Sequence, residues 1–95
     1  MKEAEEDVPT INTVWHRIEA HAGQVFRQMR GVEFTYRIDH GHLWPNRTNQ
    51  QISRSHFAKA LALVPLASTV AVQHLRGPSY IYAVLMDERI RADEW

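Results

Sequence analysis

The sequence predicts an α+β domain in which a long N-terminal helix packs on a two-stranded antiparallel β-hairpin, followed by two or three short helices. Three observations carry this. Apolar residues first recur in steps of three and four, the spacing of one helix face. The period then drops to two, as in a half-buried strand. Two short apolar runs follow, opened by Ser53 and Ser79, residues of the type that caps helices.

The first helix begins after Thr10, whose side chain suits an N-cap. Its face reads Ile11, Trp15, Ile18, Ala22, Val25 and Met29, widened by Val14 and Phe26. Gly31 stands where a left-handed C-cap belongs, and Arg27 and Arg30 suit the negative end of the helix dipole. Gly23 interrupts the pattern at a cost of roughly 1 kcal/mol relative to Ala and marks a close approach of another backbone.

In the strand, Val32, Phe34, Tyr36 and Ile38 alternate with Glu33, Thr35 and Arg37. Asp39-His40-Gly41-His42 fits a hairpin turn, and the return strand runs from His42 to about Thr48. Pro45 cannot donate to a ladder, which places that strand at an edge. Thr48 to Gln51 reads as a polar loop. Ser53 then caps a second helix, with Ile52 and Phe57 at hydrophobic-staple spacing, a buried face of Phe57, Ala60, Leu61 and Val64, and Pro65 as its stop. Pro65 to Gly77 reads as a short helix. Tyr80 to Met86 is too apolar for periodicity to separate helix from strand; the capping Ser79 and the following Asp-Glu-Arg-Ile-Arg decide for helix.

Ninety-five residues, 44% hydrophobic and 23% charged, suit one packed domain. The expected division is a flexible acidic lead at 1–9, a single domain at 10–90 and an acidic tail at 91–95. The first ten residues hold no apolar segment of the signal-peptide type. The longest weakly polar run, Phe57 to Val72, contains Lys59 and Pro65 and falls short of a membrane span. A soluble protein without membrane contact is expected. The chain has no cysteine, which excludes disulfides, thiolate metal sites and a cysteine nucleophile. It also suits a reducing, cytoplasmic setting.

The zero net charge conceals a segregation. Residues 8–86 carry seven Arg and one Lys against Glu19, Glu33 and Asp39, a net +5, while residues 1–7 carry −3 and residues 87–95 carry −2. A basic body favours an anionic partner. The basic residues concentrate in Arg47 to Leu61, which holds three cations, three amides, several hydroxyls and no acid. Arg47, Arg54 and Lys59 suit phosphates; Asn49 and Gln51 suit sugars or base edges; Ser53, Ser55 and His56 stand at a helix start that favours anions. Trp44, beside Pro45 on the presumed edge strand, can stack on a base, and Arg76 can extend the surface. Beside this stands a plainer reading, a loop and a helix cap.

Other chemistries are less well supplied. The C-terminal half has a helix–break–helix outline, but its last segment is apolar and offers nothing to a DNA groove. Asp39, His40 and His42 gather at the hairpin tip without metal-ligand spacing, so no metal or other cofactor is expected. No nucleophile elbow or phosphate-binding glycine loop is present. A metal-independent nuclease built on His56 with Arg54 and Lys59 is the enzymatic alternative.

The reading is a small, non-catalytic nucleic-acid-binding accessory domain for DNA or RNA. Its contacts come from Trp44, Arg47, Asn49, Gln51, Ser53, Arg54, Ser55, His56, Lys59 and Arg76. The alternative is a protein-interaction or regulatory module, a homodimer included, working through an exposed edge strand or the acidic ends, where Trp95 could insert in a partner.

Overall fold

The computed structural model describes residues 9–95, so all of the acidic lead but Pro9 lies outside the described residues. The fold is α+β. Helix α1 (Ile11–Ala20) opens it, followed by the strand pair β1 (Phe26–Arg27) and β2 (Glu33–Phe34). A three-stranded antiparallel sheet comes next: β3 (Tyr36–Asp39), β4 (His42–Pro45) and β5 (Ile52–Ser53), with β4 in the middle. Helix α2 (Arg54–Leu61) leads to a 3-10 turn at Thr69–Val72, then α3 (Pro78–Leu85) and α4 (Glu88–Arg91).

The first helix is half the expected length. Thr10 caps it as expected, accepting a bond from the Thr13 amide, but it ends at Ala20. Two residues past the cap His21, Gly23 takes φ +89 and donates its N–H to the Tyr36 carbonyl at 2.9 Å. The expected approach is only this one hydrogen bond, since a Cβ at Gly23 would meet nothing within 4 Å; the glycine serves the positive φ with which the chain leaves the helix. The apolar positions beyond lose their helical meaning: Val25 and Met29 are exposed, while Phe26 turns inward from β1. Gly31 also has positive φ, but in the turn from β1 to β2, where the Gln28 amide meets the Val32 carbonyl.

The alternation holds for Phe34 and Tyr36, both buried, and for the half-buried Ile38, yet it is shared by two sheets; Val32, expected to start it, is exposed before β2. Phe34 pairs with Phe26 in the first, and Tyr36 pairs with Pro45 in the second. The expected turn forms, with His40 and Gly41 both at positive φ, the conformation of a tight two-residue hairpin. The return strand is not at an edge. β5, which the sequence presents as loop and cap, pairs with its first half, His42 with Ser53 and Leu43 with Ile52. Pro45 is tolerated because β5 ends before reaching it.

Ser53 caps α2, accepting from the His56 amide at 3.3 Å, with Ile52 and Phe57 both buried beside it. The segment after Pro65 is a 3-10 turn rather than an α-helix. The last apolar segment is helical, but Gly77 at φ +63 is its N-cap and Pro78 its first residue. Ser79 instead accepts a bond from Gln28.

One core joins these elements. Trp15 meets Phe57 at 5.8 Å between ring centres, Phe26 meets Tyr36 at 5.2 Å, and Tyr80 stands edge-on to Phe34 at 4.9 Å. The Tyr36 hydroxyl donates to the Ile18 carbonyl at 2.6 Å, tying β3 to α1. Burial of that phenol is the main force raising its pKa, so it stays a donor at neutral pH. Glu94 pairs with Arg17 at 2.6 Å, and the Trp95 indole donates to the Leu85 carbonyl. The C-terminal residues therefore lie against α1 and α3, with Trp95 packed on the protein's own core. No helix among the described residues is long and apolar enough to cross a membrane.

Candidate nucleic-acid interface

The three-stranded sheet sorts its side chains by register. Tyr36, Leu43, Pro45 and Ile52 point into the core. Arg37, Asp39, His42, Trp44 and Ser53 fall on the opposite face, because Arg37 pairs with Trp44, Asp39 with His42 and His42 with Ser53. This outer face carries the chemistry. The Arg37 guanidinium lies 4.7 Å from the centre of the Trp44 ring, a cation–π stack, and the His42 ring centre is 6.5 Å from that of Trp44. Asp39 binds both Arg37, at 3.5 Å, and His40, at 2.8 Å.

Two clefts open at the two ends of β4. The first, about 400 Å³, lies beside Trp44 and is walled by Arg37, Asn46, Thr48 and Asn49. The Asn46 side chain accepts from the Thr35 amide at 2.9 Å, which fixes the start of the loop. The second, about 240 Å³, is lined by His42, Gln51, Ser53, His56 and Arg76. The loop 46–51 links the two.

The sequence-chosen residues divide accordingly. Trp44 and Asn49 meet at the first cleft; Gln51, Ser53, His56 and Arg76 meet at the second. Arg47 is exposed on the loop between them, and Lys59 is one turn beyond His56. Ser55 is held 2.8 Å from Ser53, oxygen to oxygen. Arg54 departs from the expectation: its guanidinium donates to the Asn12 side chain of α1, so it braces two helices instead of facing His56. Of the three residues of the nuclease alternative, Arg54 is thus turned toward Asn12, while Lys59 acts electrostatically on His56, as does Arg76, which shares the second cleft with it. The apolar α3 buries Ile81, Val84 and Leu85 and is core, not a groove-reading helix.

Two partners escaped the reading of the residues. Arg37 was taken only as the polar half of an alternation, and His42 only as a turn histidine. His42 in fact places Nδ1 2.9 Å from the His40 carbonyl, which leaves Nε2 as the outward nitrogen. Among the described residues no three His, Asp or Glu gather closely enough to hold a metal.

The charges fall in two classes. Arg17, Arg27, Arg37 and Arg89 have carboxylate partners. Arg30, Arg47, Arg54, Lys59, Arg76 and Arg91 have no Asp or Glu partner among the described residues; Arg91 donates instead to the Trp95 main-chain oxygen, and four of these six belong to the surface chosen from sequence. Burial, then the charges of Lys59 and Arg76, hold His56 below the ordinary histidine value of 6.5, so it is mostly neutral at pH 7.

Ser53 serves both the fold and the cleft. Ser53→Ala is expected to cost about 1 kcal/mol through the lost cap, read as a lower urea midpoint at unchanged slope. Comparison of the chain with protein-family models, with curated proteins and with solved structures gives no match.

Proposed function

We propose that this is a nucleic-acid-binding accessory domain that grips a single-stranded segment across the outer face of β3, β4 and β5. The observation that carries the reading is the Arg37–Trp44 stack on a solvent-facing sheet, flanked by amide-bearing clefts and by Arg47, Lys59 and Arg76. Single-strand binders combine an aromatic platform with cations that follow the backbone. In this arrangement Trp44 and Arg37 stack a base, Asn46 and Asn49 meet its edges, and the cations hold phosphates. The absence of cysteine agrees with the cytoplasmic setting that goes with this role.

The test is a titration against single- and double-stranded DNA and RNA at ~50 and ~200 mM salt, the range in which phosphate contacts show themselves. Binding is expected to be micromolar, to favour single strands and to weaken steeply with salt. Trp44→Ala should weaken it by about tenfold, within the 1–3 kcal/mol assigned to stacking one base. Arg47→Ala with Arg76→Ala should lower the salt slope by about 2. Salt-insensitive binding, or a double variant within about threefold of the parent, would sink the reading.

For the interaction-module alternative the edge moves: β4 is paired on both sides over His42 and Leu43, and the edges of the sheet are β3 and β5.

A further inference from the structure

The cleft of His42, Gln51, Ser53, His56 and Arg76 differs in kind from the one beside Trp44. It has no aromatic platform and no carboxylate. Each of its five lining side chains can donate a hydrogen bond, and one is a permanent cation. At about 240 Å³ it is the smaller of the two, suited to a compact group rather than a flat ring. Its parts are held in place from three directions. β4 and β5 set His42 directly opposite Ser53. Ser53 Oγ lies 3.4 Å from His56 Nδ1. Arg76 reaches in from the segment before α3 and is close enough to act electrostatically on His56. Two of the first amides of α2 are already engaged, the Arg54 N–H with the Gly41 carbonyl and the His56 N–H with Ser53 Oγ. What remains is two imidazoles on either side of a hydroxyl, with a guanidinium alongside.

We propose that this cleft seats a phosphate group, and that on the nucleic-acid reading it is the point at which one phosphate of the strand is fixed. The guanidinium supplies the charge and a forked pair of donors. The outward Nε2 of His42 and the imidazole of His56 close on the phosphate oxygens from the sides, and the Gln51 amide from the loop. Such a group could be a terminal monoester or a diester within the chain. The chemistry of the site is the same for both, and a terminal dianion uses more of its donors.

The test begins with inorganic phosphate. Imidazole signals are followed by NMR while phosphate is added to the full chain at constant ionic strength. His42 and His56 should shift together and saturate at one affinity, with chloride at equal ionic strength producing no such change. The His56 pKa should rise on binding, because the anion offsets the burial and the neighbouring positive charges that depress it. Arg76→Gln should weaken the affinity by about tenfold or more, as expected for a charge-assisted contact. Arg76 is exposed, so that variant keeps the fold, and Arg30→Gln is the control that leaves the affinity unchanged. Absence of saturation, equal shifts at all six histidines, or an Arg76→Gln variant matching the parent would each overturn the site.

Oligonucleotides with a 5′-phosphate and a 5′-hydroxyl then separate the sources. A preference of about tenfold for the phosphorylated strand assigns the cleft to a terminal monoester. Equal binding of both, still lost with Arg76→Gln, assigns it to an internal diester. If inorganic phosphate titrates the two histidines while neither strand binds, the phosphate seat stands and the nucleic-acid reading falls.

Discussion

Arg89→Ala is expected to lower the unfolding free energy by about 2–3 kcal/mol, although the residue sits on a four-residue helix near the chain end. Its guanidinium serves several partners at once. Nε and Nη2 meet the two oxygens of Asp87 at 2.8 and 2.9 Å, and Nη2 also donates to the Val25 carbonyl at 2.8 Å. Nη1 reaches Gln24, and the plane of the group lies 3.9 Å from the centre of the buried Phe26 ring. The alanine variant strands the Val25 carbonyl and the Asp87 carboxylate and exposes one face of Phe26. Arg89→Lys keeps the charge but not the fork, and should lose about half as much.

The pH dependence of this loss has a definite sign. Burial works to raise the Asp87 pKa, but the hydrogen bonds and charge of Arg89 outweigh it, and the carboxyl sits below its ordinary 3.8. A depressed carboxylate stabilises the fold above its unfolded value and stops doing so as pH falls through its folded value. The gap between parent and Arg89→Ala should therefore be full at about pH 7 and should narrow below about pH 4. Urea midpoints across that range measure it. A gap that widens in acid would mean that the pair with Asp87 is not what Arg89 contributes.

Gly77→Ala should be comparably costly, at about 2–4 kcal/mol, from two additive causes. Gly77 holds φ +63 at the start of α3, a region that L side chains rarely adopt. A Cβ there would also lie 2.7 Å from Cδ1 and 3.1 Å from Cγ1 of Ile52. The end of an isoleucine can often swing aside, but Ile52 is fully buried in the core. The strain would be relieved by displacing β5. The variant should therefore lose melting temperature and also loosen the second cleft, since Gln51 and Ser53 flank Ile52. Hydrogen exchange at the β4–β5 ladder would show this: faster exchange there than in α1 is the expected result, and uniform acceleration would place the damage elsewhere.

Much of this protein was legible before its structure. The cap at Ser53, the staple of Ile52 and Phe57, and the turn at His40-Gly41 are local features, set by neighbours within a few residues. The first helix misled because Ala22, Val25 and Met29 continue its spacing by coincidence. What ends it is a long-range bond from Gly23 to Tyr36, and a window of periodicity contains no such partner. The same limit hid β5, a two-residue strand that exists only because β4 lies beside it. Arg89 entered the sequence reading only as a charge in the sum over 87–95, because its contacts beyond Asp87, with Gln24 to Phe26, are more than sixty residues away.

At the candidate surface the balance is different. The stack of Arg37 on Trp44 was available to the eye: once His40-Gly41 is a two-residue turn, Asp39 must face His42 and Arg37 must face Trp44. Arg54 was not foreseeable, since nothing local announces that it turns toward Asn12.

The contact of Gly77 with Ile52 also orders events during synthesis. By the time residue 60 has left the ribosome, the chain carries Trp44, Arg47, His56 and nearly every other contact proposed above. It lacks Arg76, and it lacks the glycine against which Ile52 is seated. The second cleft is thus completed late, when the segment leading into α3 docks. On the proposed reading, a chain that stops short of Arg76 presents its basic residues before the second cleft is closed.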